Sequence, residues 1–362
     1  MGADIENFNV QLATSSDNET FELQYHEMLP DLPLWSTGRE VWAPDVSKLD
    51  DGKFIMYFSI KLASSPSHHC IGAAIADKVV GPYTPQDNPL ICPDPDIQGG
   101  AIDASAFIDP YTGKRYITYK VDGNSLGQGG LYSNTVAPVR STPLMLQEVE
   151  YNGITLIGAP TQLLDRDTSD GPLVEAPSLV RSQEGIYFLF YSSHCFSTPA
   201  YTVRYATSMT VTGPYTRASH PFLATSSDRN NLVGPGSLHI LPSTDSDDHL
   251  IAFHGHMTLN NSPQFRARFA QTAATGSELP LVRGLYVATA RLHGREASLI
   301  IAKHDSNCRD STNTVNKNDD YHRDWSGVRA QKSEARRQRG FASGLFVATI
   351  VFTVIARVNV VV

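Results

Sequence analysis

Residues 174–193 read VEAPSLVRSQEGIYFLFYSS, and the same pattern returns three more times along the chain. The other copies are VWAPDVSKLDDGKFIMYFS (41–59), IDASAFIDPYTGKRYITYK (102–120) and GPGSLHILPSTDSDDHLIAFHGH (234–256). Each copy predicts a strand, a turn rich in Asp and Gly or other small polar residues, and a second strand. In the second strand apolar and aromatic side chains alternate: Phe54, Met56 and Phe58, or Tyr187, Leu189 and Tyr191.

A second element follows the first, as CIGAAIADKVVGPYTP (70–85) and VRYATSMTVTGPYTRA (203–218), and without Gly-Pro-Tyr as NVQLATSSDNETFEL (9–23). The two elements together predict a four-stranded antiparallel unit recurring roughly every 60 to 70 residues. Units of that period built only from strands point to propeller blades, with a β-sandwich as the rival. The fold expected is all-β, a five-bladed β-propeller with an incomplete first blade. Four copies are complete, and residues 9–23 supply only the outer half of an earlier one. Its inner strands, of the kind that line a central channel, are expected upstream of Met1.

Composition agrees. The chain has 362 residues, 41% hydrophobic and 18% charged, with 26 Gly and 22 Pro, which excludes disorder, collagen and coiled coil. The formal net charge is −8 and uneven. From Lys303 onward ten Lys/Arg face six Asp/Glu, about +4, leaving about −12 on residues 1–302. An acidic body argues against a nucleic-acid partner and leaves a neutral, sugar-like ligand unaffected.

Residues 1–300 are read as one propeller unit, 301–340 as a polar disordered segment and 341–362 as an apolar tail. The tail is long enough to span a bilayer, but Arg357 inside it costs about 2.5–3.5 kcal/mol on insertion scales, so a membrane anchor is not expected. The first residues carry no basic and apolar signal pattern. The sequons at Asn18 and Asn260 are weak evidence of secretion. Cys70 and Cys92 flank one hairpin-sized segment, which leaves a disulfide and two buried thiols both open.

Propellers place chemistry at the channel mouth. The repeat puts Asp45, Asp103 and Glu175 near one phase of successive inner strands, where crowding drives carboxyl proton affinities apart. That is what paired-carboxylate glycoside hydrolysis requires. Glu175, with apolar neighbours in Val-Glu-Ala-Pro, is the functional candidate. Asp45, beside Pro44 and an Asp-Asp-Gly turn, is read as structural. Gly127-Gln128-Gly129-Gly130 precedes no helix, and adjacent His68 and His69 on a strand face opposite ways, so neither a phosphate cradle nor a metal is inferred.

The first three inner motifs and the two Gly-Pro-Tyr hairpins resemble glycoside hydrolase family 43, five-bladed propellers acting on arabinose- and xylose-containing polysaccharides, and the resemblance covers about residues 8–294. The resemblance implies an inverting glycosidase with three acids. Glu175 matches its general acid and Asp103 the acid that tunes and orients it. Trp42 is implied as a sugar-stacking wall and Arg283 as a late-blade substrate contact. His254 stays open between a substrate contact and a structural histidine.

The family's base lies in an Asp-Pro-Asp motif on the first blade. Asp94-Pro95-Asp96 has those letters in another place and is read as a decoy. Many members link calcium through a His after Gly-Pro-Gly, where this chain has Ser237, with His239 two residues on; no metal or other cofactor is expected. The expected partner is a carbohydrate, the expected state a monomer, and the resemblance implies an extracellular setting. The alternative is a carbohydrate-binding propeller impaired in catalysis for want of the base.

Overall fold

The computed structural model describes residues 8–17, 21–38, 40–226, 232–243, 245–256 and 283–300, with backbone alone at 329–330 and 350–352. The fold is all-β. Its framework is four sheets of one design, each with its strands in sequence order from the channel outward. The first holds β3 (Trp42–Lys48), β4 (Phe54–Leu62), β5 (Ser65–Ala76) and β6 (Thr84–Pro85). The second holds β7 (Ala101–Ile108), β8 (Arg115–Val121), β9 (Leu144–Val149) and β10 (Leu156–Leu164). The third holds β11 (Val174–Arg181), β12 (Tyr187–Ser193), β13 (Thr202–Ser208) and β14 (Thr216–Arg217). The fourth holds β15 (Val233–Leu241), β16 (Asp248–His256), β17 (Arg283–His293) and β18 (Glu296–Ile300). These are four propeller blades, and they start where the repeat predicts.

In the first three of these blades the second strand is buried on both faces, rather than on alternate residues only. Alternate residues feed two different cores. Ile55 and Tyr57 of β4 pack against Ala104, Ile117 and Tyr119 of the next blade. Met56 and Phe58 of the same strand pack the other way, against Val10, Leu12 and Met28. The cores between later blades repeat this scheme with Leu189 and Tyr191 on one side and Phe188 and Phe190 on the other. Burial of apolar surface therefore holds blade to blade, not only strand to strand.

The Gly-Pro-Tyr hairpins fold alike in both copies. The Tyr83 hydroxyl donates to the Val79 carbonyl at 2.8 Å, and the Tyr215 hydroxyl to the Val211 carbonyl at 3.0 Å. Gly81 has φ +82°, and a β-carbon there would stand 2.8 Å from the Met28 carbonyl oxygen, so glycine is required twice over.

A further sheet has the order β2-β1-β20, from β1 (Gln11–Thr14), β2 (Glu22–Glu27) and β20 (Ile350–Phe352). Val10 and Leu12 face the β3–β6 blade, while Ala13 and Phe21 pack on Ala252 and Leu285 of the β15–β18 blade. This sheet thus lies between the fourth blade and the first. Within the polar segment, β19 (Arg329–Ala330) pairs with β17. The rest of 301–340 and of 341–362, with Arg357, Cys308 and both sequon asparagines, lies outside the described residues. Among the described residues no helix is long and apolar enough to cross a membrane. Cys70 and Cys92 form a disulfide, with α-carbons 4.8 Å apart, and Cys195 is a buried free thiol.

Candidate active site

All four inner strands carry the same irregularity at the same place. The pairing register breaks between Trp42 and Asp45, Ile102 and Ser105, Glu175 and Ser178, and Gly236 and His239. In each, the first residue past the break has positive φ: Ala43 (+43°), Asp103 (+60°), Ala176 (+50°) and Ser237 (+49°). Non-glycine residues rarely adopt this conformation, and such bulges re-aim side chains beside functional sites. The bulges point into one cavity of about 370 Å³ lined by Trp42, Asp45, Asp103, Glu175 and His254 among others.

This geometry corrects the single phase inferred for the three acids. Glu175 leads its bulge, Asp103 sits at the positive-φ position, and Asp45 trails its bulge. A one-residue slip on a strand turns a side chain to the other face, but across a bulge successive residues open toward one side. Three acids at three bulge positions therefore reach one cavity.

Three of the four bulge amides are held by the blade before. Asp103 N–H donates to Ser59 Oγ at 3.1 Å, Ala176 N–H to Asp103 Oδ2 at 2.9 Å, and Ser237 N–H to Ser192 Oγ at 2.8 Å. The trailing position makes a second latch. Asp45 Oδ2 accepts the Ala106 N–H at 2.8 Å, as Ser178 Oγ accepts the Ile240 N–H at 3.2 Å. Asp45 is thus a latch, and Asp45 Oδ1 also lies 3.3 Å from His239 Nδ1. Burial raises its proton affinity, against the lowering effects of His239 and the Ala106 amide.

Glu175 is 7% exposed, with a donor at each carboxyl oxygen. Tyr201 O–H donates to Oε1 at 2.7 Å, and Lys120 Nζ stands 3.5 Å from Oε2. Lys120 is itself held by Asp122 at 2.9 Å. Tyr201 packs so tightly on Gly236 that a β-carbon there would meet the ring at 1.7 Å. Asp103 is pushed up to about 7, first by burial and then by the Glu175 charge, with Lys120 and the Ala176 amide opposing.

Trp42 lines the cavity with its indole stacked on His69, ring centroids 3.7 Å apart. Burial lowers His69 to about 4, so at neutral pH the imidazole is uncharged. His254 lines the cavity too, and its Nδ1 accepts from Arg283 Nε at 2.6 Å. Burial and then the Arg283 charge hold His254 well below its ordinary value. The ring is therefore neutral, and with Nδ1 accepting, its proton sits on Nε2. Arg283 is 4% exposed and stands behind this wall. It donates to the carbonyls of Gly234, at 2.5 Å, and of His254 and Phe196.

Asp94 caps the short helix Pro95–Gln98, accepting the amides of Asp96 and Ile97, away from the cavity. The Ser237 hydroxyl lies 3.3 Å from the Tyr201 hydroxyl. Among the described residues no group of three His, Cys, Asp or Glu is arranged to hold a metal.

The sequence reading missed Lys120 and Tyr201. A signal for the first existed. Lys120 pairs with Ile102 as Ser59 pairs with Trp42, Ser192 with Glu175 and His254 with Gly236, so one repeat position yields Ser, Lys, Ser and His.

The sequence model of Glycosyl hydrolases family 43 matches residues 4–273. The chain belongs to glycosyl hydrolases family 43. Among curated relatives, an extracellular endo-alpha-(1->5)-L-arabinanase 2 of Bacillus subtilis (strain 168) is 27% identical over 221 residues, 57% of this chain and 42% of that protein. An extracellular endo-alpha-(1->5)-L-arabinanase of Thermotoga petrophila is 26% identical over 223 residues, 57% of this chain and 43% of that protein. The family 43 chain thus spans less than half the length of these relatives. Among solved structures, a thermostable family-43 glycoside hydrolase superposes with TM-score 0.62 at 22% identity, covering 85% of this chain and 90% of that one.

Proposed function

We propose that this family 43 chain is a glycosidase that hydrolyses arabinose- or xylose-containing polysaccharides or oligosaccharides with inversion. The observation that carries this reading is the pair Asp103–Glu175, one half-buried and one buried carboxyl at adjacent bulges of one sugar-sized cavity. Glu175 gives its proton to the leaving oxygen as the glycosidic C–O bond breaks. Water attacks the anomeric carbon from the opposite face and loses a proton to a carboxylate base, which the family resemblance implies on an inner strand of the first blade and which is not among the described residues. Asp103, linked to the Ala176 amide beside Glu175, orients the acid and holds it in its protonated form. Trp42 stacks on a sugar face, His254 offers its Nε2–H to a sugar hydroxyl, and Arg283 acts through His254.

The β2-β1-β20 sheet, packed on the blades either side of it, supports a ring of five blades with an incomplete first blade, residues 1–300 forming the propeller unit. No metal or other cofactor takes part in this reading. Both curated relatives are named extracellular, and a monomer acting outside the cell is the setting proposed.

The test is release of aryl alcohol from aryl α-L-arabinofuranoside and aryl β-D-xyloside, beside the Glu175→Gln variant. The expected result is hydrolysis by the wild type that falls about 10²–10⁴-fold in the variant. Saturable oligosaccharide binding without hydrolysis by a folded wild type would overturn the enzyme reading in favour of a binding propeller.

A further inference from the structure

One position in the second strand of each blade faces the inner bulge. In two blades it is serine, and Ser59 and Ser192 accept the bulge amide of the next blade, from Asp103 and Ser237. In the β7–β10 blade the position is Lys120, which has no acceptor to offer, and Asp103 takes over the amide of Ala176. The blade thus gives up a neutral latch and places an ammonium, 1% exposed, among three carboxylates. Its Nζ lies 2.9 Å from Asp122 and 3.5 Å from Glu175. A buried charge is costly to keep, and here the framework has no need of it.

We propose that Lys120 is a positioning residue that sets how readily Glu175 gives up its proton. The groups around Glu175 leave this role to few others. Tyr201 occupies Oε1 as a neutral donor, and Ser237 lies beyond Tyr201. Tyr132 and Asp122 add no positive charge, and Arg283 is occupied by backbone carbonyls and His254. Burial pulls the Lys120 ammonium down, but Asp122, Glu175 and Asp103 together hold it above its ordinary value, so its charge persists through the working range. When Glu175 passes its proton to the leaving oxygen, Lys120 faces the carboxylate left behind and offsets the new charge. Without it the acid holds its proton more tightly and donates it less readily.

This inference rests on the glycosidase reading for its catalytic consequence, but proton affinity is measurable without turnover. Infrared titration of the protonated-carboxyl band from about pH 4 to about pH 9 is compared in wild type and Lys120→Met, with Asp103→Asn and Glu175→Gln assigning the band. The expected midpoint in Lys120→Met is about 1 to 3 pH units higher, with the basic limb of kcat/KM moving the same way. Because that variant leaves Asp122 buried and unpaired, Lys120→Met/Asp122→Asn removes both charges and is expected to keep an upward shift, since the ammonium lies next to Glu175. A folded double variant that titrates at the wild-type midpoint overturns the proposal. An upward infrared shift in a protein that hydrolyses nothing upholds the proton assignment and sinks only the enzyme reading.

Discussion

Asp103→Asn is expected to make the fold more stable while removing activity, and the gain should exist only above acid pH. The carboxyl of Asp103 is raised from 3.8 to about 7 by burial and by Glu175. A carboxyl raised on folding binds its proton more tightly in the native state, so its effect runs opposite to that of a salt-bridged acid. Stability is unimpaired below the unfolded value near 4 and declines as pH rises toward 7, where the native state must ionise a buried group. At about 1.4 kcal/mol per pH unit, the rise from 3.8 to about 7 amounts to about 4 kcal/mol as an upper figure.

Asparagine keeps the framework intact. Its side-chain oxygen accepts the Ala176 N–H that Asp103 Oδ2 accepts at 2.9 Å, and asparagine tolerates the φ of +60°. The assay is urea unfolding of both proteins from about pH 4 to about pH 8, with midpoints and slopes compared. Near pH 4 the curves should coincide, and by pH 8 the variant should be more stable by about 2–4 kcal/mol. Parallel pH dependences for the two proteins would refute the placement of a strained proton site at Asp103.

Two further outcomes follow from packing. Gly236→Ala puts a β-carbon 1.7 Å from the Tyr201 ring, so the ring must leave Glu175, and kcat/KM should drop about 10- to 100-fold, the worth of a hydrogen bond to a charged group. Wild-type kcat/KM in that variant would contradict the role given to Tyr201. Reducing the Cys70–Cys92 bridge, which closes 22 residues, should lower stability by about 3 kcal/mol, read as a fall in the urea midpoint under dithiothreitol. An unchanged midpoint under full reduction would count against it.

Much of the architecture was legible because propeller blades repeat. Strand, turn and apolar run recur in 41–59, 102–120, 174–193 and 234–256, and each copy became the inner half of a blade. The cavity's chemistry was harder to read, since letters give order along a strand and not its irregularities. Alternation would turn Glu175 and Ala176 to opposite faces, and the bulge cancels that rule. Asp94-Pro95-Asp96 matched a motif by letter, yet its aspartate caps a turn. Tyr201 lies before β13 with no periodic mark, and only folding brings it against Gly236 and Glu175. Lys120 was detectable in principle, as a charge inside a strand otherwise buried on both faces.

The recurring bulge separates the shape of the backbone from the identity of what it displays. Ala43, Asp103, Ala176 and Ser237 adopt one conformation while differing in chemistry, so the four inner strands work as interchangeable sockets around a common mouth. A side chain can be exchanged at one socket without redrawing the ring, provided a neighbouring blade still receives the amide behind it. Divergence in such a protein, by evolution or by design, then becomes a choice among a dozen addressable positions on a frame that stays fixed.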